Sequence, residues 1–298
     1  MVVAKKVYLN ITYEHYLSLR RILKSMRNWK ITPSDSFIAK YVDCYWLLQK
    51  TEQDDGPDFP KLNPDPAGHI ILGSSQLPYK YQSELEVALG RGSHIILPHS
   101  RTLSMDHSQA FLIVGIKLHV GALYSLAFPS SKLAIDKVMG LENNEFITSN
   151  IEQILSESAQ SPERLRDYLD GALRSTTYTT LEDGHTSLVR KIINMGDITE
   201  LANLGFKLSC SQRTVERSFK RVTGFTLKQY ASMRRLENLL DYVHQLENDQ
   251  LDWADIAHQF AFSDQPHLVR YLKSVIGNTP GQYTQMRDLA IDAYGNFE

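Results

Sequence analysis

Residues 217–230 read RSFKRVTGFTLKQY, and residues 270–283 read RYLKSVIGNTPGQY. At an offset of 53, seven of the fourteen positions are identical: Arg217/Arg270, Lys220/Lys273, Val222/Val275, Gly224/Gly277, Thr226/Thr279, Gln229/Gln282 and Tyr230/Tyr283. Upstream the apolar skeleton repeats at an offset of 52, with Leu201, Leu204, Gly205 and Leu208 against Trp253, Ile256, Ala257 and Phe260. A repeat of this kind is one supersecondary unit built twice. Apolar residues at i, i+3 and i+7 make one helical face, a short turn follows, and a second helix stops before a glycine. Two short helices joined by a tight turn form a helix-turn-helix, whose second helix fits the major groove of DNA.

Working outward, the first unit is expected to have a helix over about 198–207, a turn at Leu208–Cys210 and Ser211 as the cap of the second helix. That helix turns Val215 and Phe219 inward and Gln212, Arg213, Glu216, Arg217 and Lys220 outward. In the second unit the first helix runs from Trp253 to Phe260. The turn is one residue longer, and Pro266 sits in the first helical turn, where the missing N–H costs nothing. Leu268 and Leu272 face inward there, with His267, Arg270 and Lys273 elsewhere. Between the units, Thr226 to about Leu246 reads as one helix, which at ~1.5 Å per residue spans roughly 30 Å. Major-groove faces on one side of B-DNA recur about every 34 Å, so a rod of that length suits tandem reading by a single chain. Arginine forks match guanine and glutamine matches adenine. Arg213, Arg217, Gln265 and Arg270 are therefore the expected base readers, with Glu216 and His267 behind them. Lys220 and Lys273 are expected on phosphates. Arg235 is read as structural, paired with an acid such as Asp255.

At 298 residues the chain is long enough for two cores, and its net charge of −2 places any basic surface locally. From Lys207 to Arg235 eight basic residues accompany one acid, Glu216, a stretch that attracts a polyanion. Two cysteines, Cys44 and Cys210, give neither a disulfide framework nor a metal set and fit a reducing cytoplasm. No signal peptide or membrane-spanning stretch is expected.

An amphipathic helix is expected over 11–28. From about 36 to 125 short apolar runs (FIAKYVDCYWLLQ, HIIL at 69–72, HIIL at 94–97, FLIVGIKL at 111–118) alternate with Gly, Pro, Asn and Asp clusters. That punctuation predicts an antiparallel sheet folded on itself, a sandwich or partial barrel with flanking helices. Helical spacing returns after 150, with Ser161-Pro162-Glu163 starting a helix. The polar segment at 175–184 reads as a linker. The fold class is thus an α+β N-terminal domain over 1–180, then an all-α domain over 185–290 with two helix-turn-helix units (about 198–220 and 251–273) on a long linker helix. A competing reading makes the β-rich half a cupin-like metal-dependent enzyme or metal sensor using some of His69, His94, His99, His107 and His119. No His-x-His pair occurs, and these histidines lie on separate segments, so no metal ligand or cofactor is assigned. No phosphate loop, nucleophile elbow or activated cysteine is evident, so no catalytic residue is assigned either.

The segment DIAHQFAFSDQPHLVRYLKSVIGNTPGQY (255–283) resembles the AraC/XylS family of bacterial transcription regulators. The shared pattern is Ile-Ala, then Phe-Ser-Asp-Gln-x-His, Arg-x-x-Lys, Gly-x-Thr-Pro and Tyr. With the first unit it covers about 100 residues, and Tyr230 with Arg235, Leu236 and Glu237 resembles the family's linker helix. Ala261 stands where the family usually has glycine and Pro266 where it often has serine. The resemblance implies a transcription factor whose base-facing positions are Arg213, Glu216 and Arg217 in the first unit and Gln265, His267 and Arg270 in the second. It implies double-stranded promoter DNA and RNA polymerase as partners. YVDCYWLL (41–48), NPDPAGHIIL (63–72) and GIKLHVGA (115–122) resemble a sensor-like domain of some of these regulators. Control by a small-molecule effector, by a protein partner, or by homodimerisation through the 11–28 or 161–174 helices all stay open.

Overall fold

The computed structural model describes residues 27–54, 56–126, 134–141, 145–158, 161–176, 180–195, 203–246 and 250–291. Most of the helix expected over 11–28 lies outside the described residues. Its last two positions, Arg27 and Asn28, instead open a strand, β1 (Arg27–Ile31).

Among the described residues the β-rich half contains two antiparallel sheets. Six strands run in the order β1–β2–β9–β4–β7–β10, with β2 at Val42–Lys50, β4 at His69–Gly73, β7 at His94–Ile96, β9 at Phe111–Leu118 and β10 at Val138–Gly140. Four more run β3–β8–β5–β6, with β3 at Lys61–Leu62, β5 at Pro78–Gln82, β6 at Val87–Arg91 and β8 at Leu103–Met105. The expected strand over FIAK is a 3₁₀ turn, Ile38–Lys40, because Asp35 Oδ1 accepts from the amides of Phe37 and Ile38 and closes the chain before β2 begins.

The unbroken apolar run FLIVGIKL is explained by burial on both faces of the larger sheet. One face, with Tyr45, Leu47, Val114 and Ile116, packs on Ile154, Leu165 and Leu169 of two helices, α2 (Glu145–Ser158) and α3 (Pro162–Thr176). The other, with Leu48, Ile71, Ile96 and Ile113, packs on Leu62, Tyr81, Leu103 and Met105 of the smaller sheet. Trp46 of β2 is paired directly with Gly115 of β9. A Cβ there would fall 1.8 Å from the indole, so glycine is what lets the ring lie across the strand. Buried Asp170 fastens α3 to the sheet, accepting from the Tyr45 hydroxyl at 2.7 Å and from Ser34 and Asp35 amides at 2.8 and 2.9 Å. A short helix, α1 (Ala122–Ser125), follows β9.

The second half is helical: α4 (Gly184–Asn194), α5 (Leu204–Lys207), α6 (Gln212–Thr223), α7 (Leu227–His244), α8 (Trp253–Gln259), α9 (Gln265–Val275) and α10 (Pro280–Met286). Its two cores share α7. Val189, Ile192, Val215, Phe219 and Tyr230 make one, and Leu239, Val243, Ile256, Leu268 and Tyr283 the other. The two halves touch. Lys61 bridges Asp288 at 2.6 Å and pairs as an isolated parallel bridge with Leu289. Thr102 Oγ1 donates to the Val275 carbonyl at 2.6 Å. Of the expected linker at 175–184, Ser175 and Thr176 end α3, residues 177–179 lie outside the described residues, and Gly184 begins α4.

Candidate nucleic-acid interface

The sequence repeat is a repeat of helix ends. Ser211 caps α6 through the Thr214 amide, and Asp264 caps α9 through the His267 amide. Gly224 and Gly277 follow the two helices at φ 81° and 77°, a left-handed conformation in which a side chain costs energy. Thr226 with Gln229, and Thr279 with Gln282, then form matched capping boxes that start α7 and α10. Tyr230 and Tyr283, both buried, seat those helices in the two cores. The turns inside the units correspond as well: Ser209 and Ala261, 52 positions apart, have φ 54° and 56°.

One difference between the turns has a steric cause. The shorter first turn brings α5 against α6 so closely that a Cβ on Gly205 would lie 2.7 Å from the Gln212 amide nitrogen. The corresponding Ala257 carries its methyl within the core of the second unit, where the turn has one residue more.

With Val215, Phe219, Leu268 and Leu272 buried, the opposite faces of α6 and α9 are polar. Arg213, Glu216, Arg217 and Lys220 are exposed on α6, and Gln265, Arg270 and Lys273 on α9. Among the described residues no ion pair or hydrogen bond engages the side chains of Arg213, Arg217, Lys220, Gln265, Arg270 or Lys273. Two residues depart from the outward reading. Gln212 turns back, accepting from the Gly205 amide at 3.2 Å and donating to Glu216 at 3.3 Å, so it latches the turn and orients the Glu216 carboxylate. His267 is half-buried, edge-on to Phe262 at 5.3 Å, with Nδ1 accepting from Ser263 Oγ at 3.1 Å. Arg235 is structural, as expected, through a different contact. Its guanidinium lies 4.3 Å from the Phe262 ring centroid and 5.3 Å from that of Tyr271, rather than against Asp255. Cys210 is partly buried against the first core.

Nothing in the sequence signals that α6 is also held from behind. Arg221 Nε donates to the Tyr124 hydroxyl of the β-rich half at 3.0 Å, and Ser218 hydrogen-bonds His185 of α4 at 2.8 Å. Val222 packs on Gly121, where a Cβ would come within 2.8 Å of it and φ is 84°. Under the linker helix lies a buried charge cluster: Asp65 meets His69 at 2.9 Å and Lys117 at 3.3 Å. Burial works against the Asp65 charge, but Lys117 and His69 outweigh it and hold the carboxyl below its usual range. Burial raises Glu237, on the facing side of α7, and Arg234, followed by Lys117, moderates that rise.

The histidines weighed as metal ligands have separate employments. His69 pairs Asp65, His94 the Tyr81 hydroxyl, His99 the Asn63 carbonyl, and His119 the Ala39 carbonyl, while His107 packs on Phe111 at 4.5 Å. Among the described residues no three His, Cys, Asp or Glu side chains come together as a metal set. Burial pushes the Cys44 thiol up to about 11, opposite to what a reactive cysteine requires. No helix among the described residues is long and apolar enough to cross a membrane.

Residues 204–286 match the family model of a helix-turn-helix domain. Among solved structures, an apo variant of ToxT from Vibrio cholerae strain SCE256 is similar at 12% identity over 88% of this chain and 97% of that one, with a TM-score of 0.46. ToxT from Vibrio cholerae O395 is similar at 13% identity over 88% and 98%, with a TM-score of 0.40. The AraC-like transcriptional activator CuxR is similar at 14% identity over 76% and 91%, with a TM-score of 0.25. No curated protein sequence matches the chain.

Proposed function

We propose that this DNA-binding transcription regulator, which carries an AraC-type helix-turn-helix domain at its C-terminus, reads two successive major grooves with α6 and α9. The observation that carries the proposal is duplication of the exposed chemistry. Arg217 and Arg270 stand at equivalent places on equivalent helices, each followed three residues later by lysine. Arginine at those sites forks onto guanine, with Arg213 and Gln265 as further base readers. Glu216, oriented by Gln212, accepts from a cytosine amino group. His267 contributes through Nε2, since Nδ1 is committed to Ser263. Lys220 and Lys273 hold phosphates and set register. The 18 residues of α7 span about 27 Å at ~1.5 Å each, so the helix with its flanking turns approaches one turn of DNA.

The regulatory half is the β-rich domain at 1–180, and the DNA-binding half covers 185–290. The first is placed to control the second, because it grips α6 through Tyr124 and α9 through Thr102. Control by a small-molecule effector fits that arrangement, and RNA polymerase is the expected protein partner at a promoter. Homodimerisation is not needed for tandem reading.

The test uses a DNA site selected from random sequence by the full chain. Five base pairs inserted between its two halves rotate them to opposite DNA faces and are expected to lower affinity to that of one half alone. Ten inserted pairs restore the face but exceed the reach of α7, so affinity stays low. Unchanged affinity with five inserted pairs would rule out simultaneous reading.

A further inference from the structure

Between the two sheets lies a cavity of about 390 Å³, within the range of roughly 300–1,000 Å³ typical of small-molecule sites. Ile71 and Ile113 line it from the larger sheet, Met105 from the smaller, and Leu77 and Phe111 at their margins. Part of the remaining wall is a stack of rings. Tyr79 lies on His94 with centroids 3.9 Å apart, and Tyr81 meets His94 edge-on at 5.3 Å. Gly90 of β6 makes room for that stack, since a Cβ there would fall 2.2 Å from the Tyr79 oxygen.

The polarity of this wall follows from hydrogen-bond direction. His94 Nδ1 is 2.9 Å from the Gly92 carbonyl, which can only accept, so Nδ1 carries the ring proton and Nε2 is an acceptor. The Tyr81 hydroxyl, 2.8 Å from Nε2, must therefore donate to it. Its proton is spent, and the oxygen retains a lone pair beside the cavity. Burial lowers His94 to about 4, and burial with the nearby Lys50 charge does the same for His107, so both lining imidazoles are neutral at pH 7. The charged lining residues, Lys80 and Asp106, are only half-buried and opposite in sign, and Ser108 occupies the Asp106 carboxylate at 2.6 Å.

We propose that this cavity binds an uncharged, mainly apolar molecule bearing a hydroxyl group, which donates its proton to the Tyr81 oxygen. The proposal rests on the reading that the β-rich half controls DNA binding, and it names the chemistry of the controlling ligand. A carboxylate has no proton to donate and would set its charge against a lone pair, with no buried cation lining the cavity to balance it. An ether of the same shape would leave two acceptors facing each other. An ammonium group could donate to the same oxygen, but no buried anion lines the cavity to balance its charge.

The test is calorimetric titration of the full chain, without DNA, with three probes sharing one ring system: 2-naphthol, 2-methoxynaphthalene and 2-naphthoate. Naphthol is expected to bind one per chain, and the ether and the acid at least roughly tenfold more weakly, the scale of one hydrogen bond with its desolvation. Tyr81→Phe is expected to weaken naphthol roughly tenfold, and Met105→Trp, which fills the cavity, to abolish its binding while thermal unfolding and DNA affinity verify that the variant folds. No naphthol binding, equal binding of the acid or ether, or undiminished binding by folded Met105→Trp overturns the proposal. Should Tyr81→Phe fail to fold, the ranking of the three probes on the unaltered chain decides. Should naphthol bind as expected yet leave gel-shift affinity for DNA unchanged, the cavity chemistry stands and control by this domain falls.

Discussion

Arg217 and Lys220 lie one turn apart on α6, both exposed, and their chemistry separates their roles. Arg217→Ala is expected to cost roughly 1–3 kcal/mol on the cognate site and to relax the preference for one base, because a bidentate contact is lost. Lys220→Ala is expected to weaken all sequences alike and to reduce the slope of log affinity against log salt by about 1. Gel shifts over a salt series with cognate and scrambled DNA distinguish the two. Affinity unchanged by Arg217→Ala removes it from the reading set. Backbone requirements at this scale are as specific. Ala261 carries a side chain at φ 56°, so Ala261→Gly is expected to raise stability by about 0.5–1 kcal/mol in denaturant titration. Gly205→Ala must destabilise, since its methyl would abut the Gln212 amide. Ala261 sits in a left-handed turn, where glycine is the unstrained residue. The inward turn of Gln212 and the aromatic partner of Arg235 were not legible, because each depends on a neighbour brought close only by the fold: the Gly205 amide for one, the Phe262 ring for the other.

At the scale of elements, the helical units were readable because their ends are encoded locally. Thr226 with Gln229 and Thr279 with Gln282 are three-residue signals, and both boxes form. Thr226→Ala and Thr279→Ala are each expected to cost about 1 kcal/mol, the first loosening the rod between the reading helices. The strands at 42–50, 69–73, 94–96 and 111–118 were readable as apolar runs. Others were not. β5, PYKYQ, and β6, VALGR, form a local hairpin in a sheet whose outer face is wet, and neither carries an apolar run, since Val87 and Leu89 are exposed. The pairing of Trp46 with Gly115 likewise has meaning only once β2 and β9 are side by side.

The β-rich half also has a definite response to acid. His94 and His107 are held near 4 in the fold, against 6.5 when exposed, so the unfolded chain binds more protons between those values. Their contribution is fully present above pH ~6.5 and is lost as pH falls toward ~4. Urea midpoints measured from pH 7.5 to 4.5 are expected to fall through that window, and less in a His107→Asn variant. A flat profile would contradict the buried neutral imidazoles.

At the scale of the molecule, the two halves are joined by discrete contacts: Arg221 with Tyr124, Lys61 with Asp288, Thr102 with the Val275 carbonyl. None was legible in the sequence, because each partner is ordinary where it stands and lies far along the chain from the other. The tandem arrangement, by contrast, was written in the repeat itself. Hydroxyl-radical footprinting of the full chain on its selected site tests that arrangement most directly. Two protected patches on one face of the DNA, their centres about one helical turn apart, are the expected result, with Arg270→Ala fading only one of them. A single patch confined to half a turn would contradict tandem reading by α6 and α9.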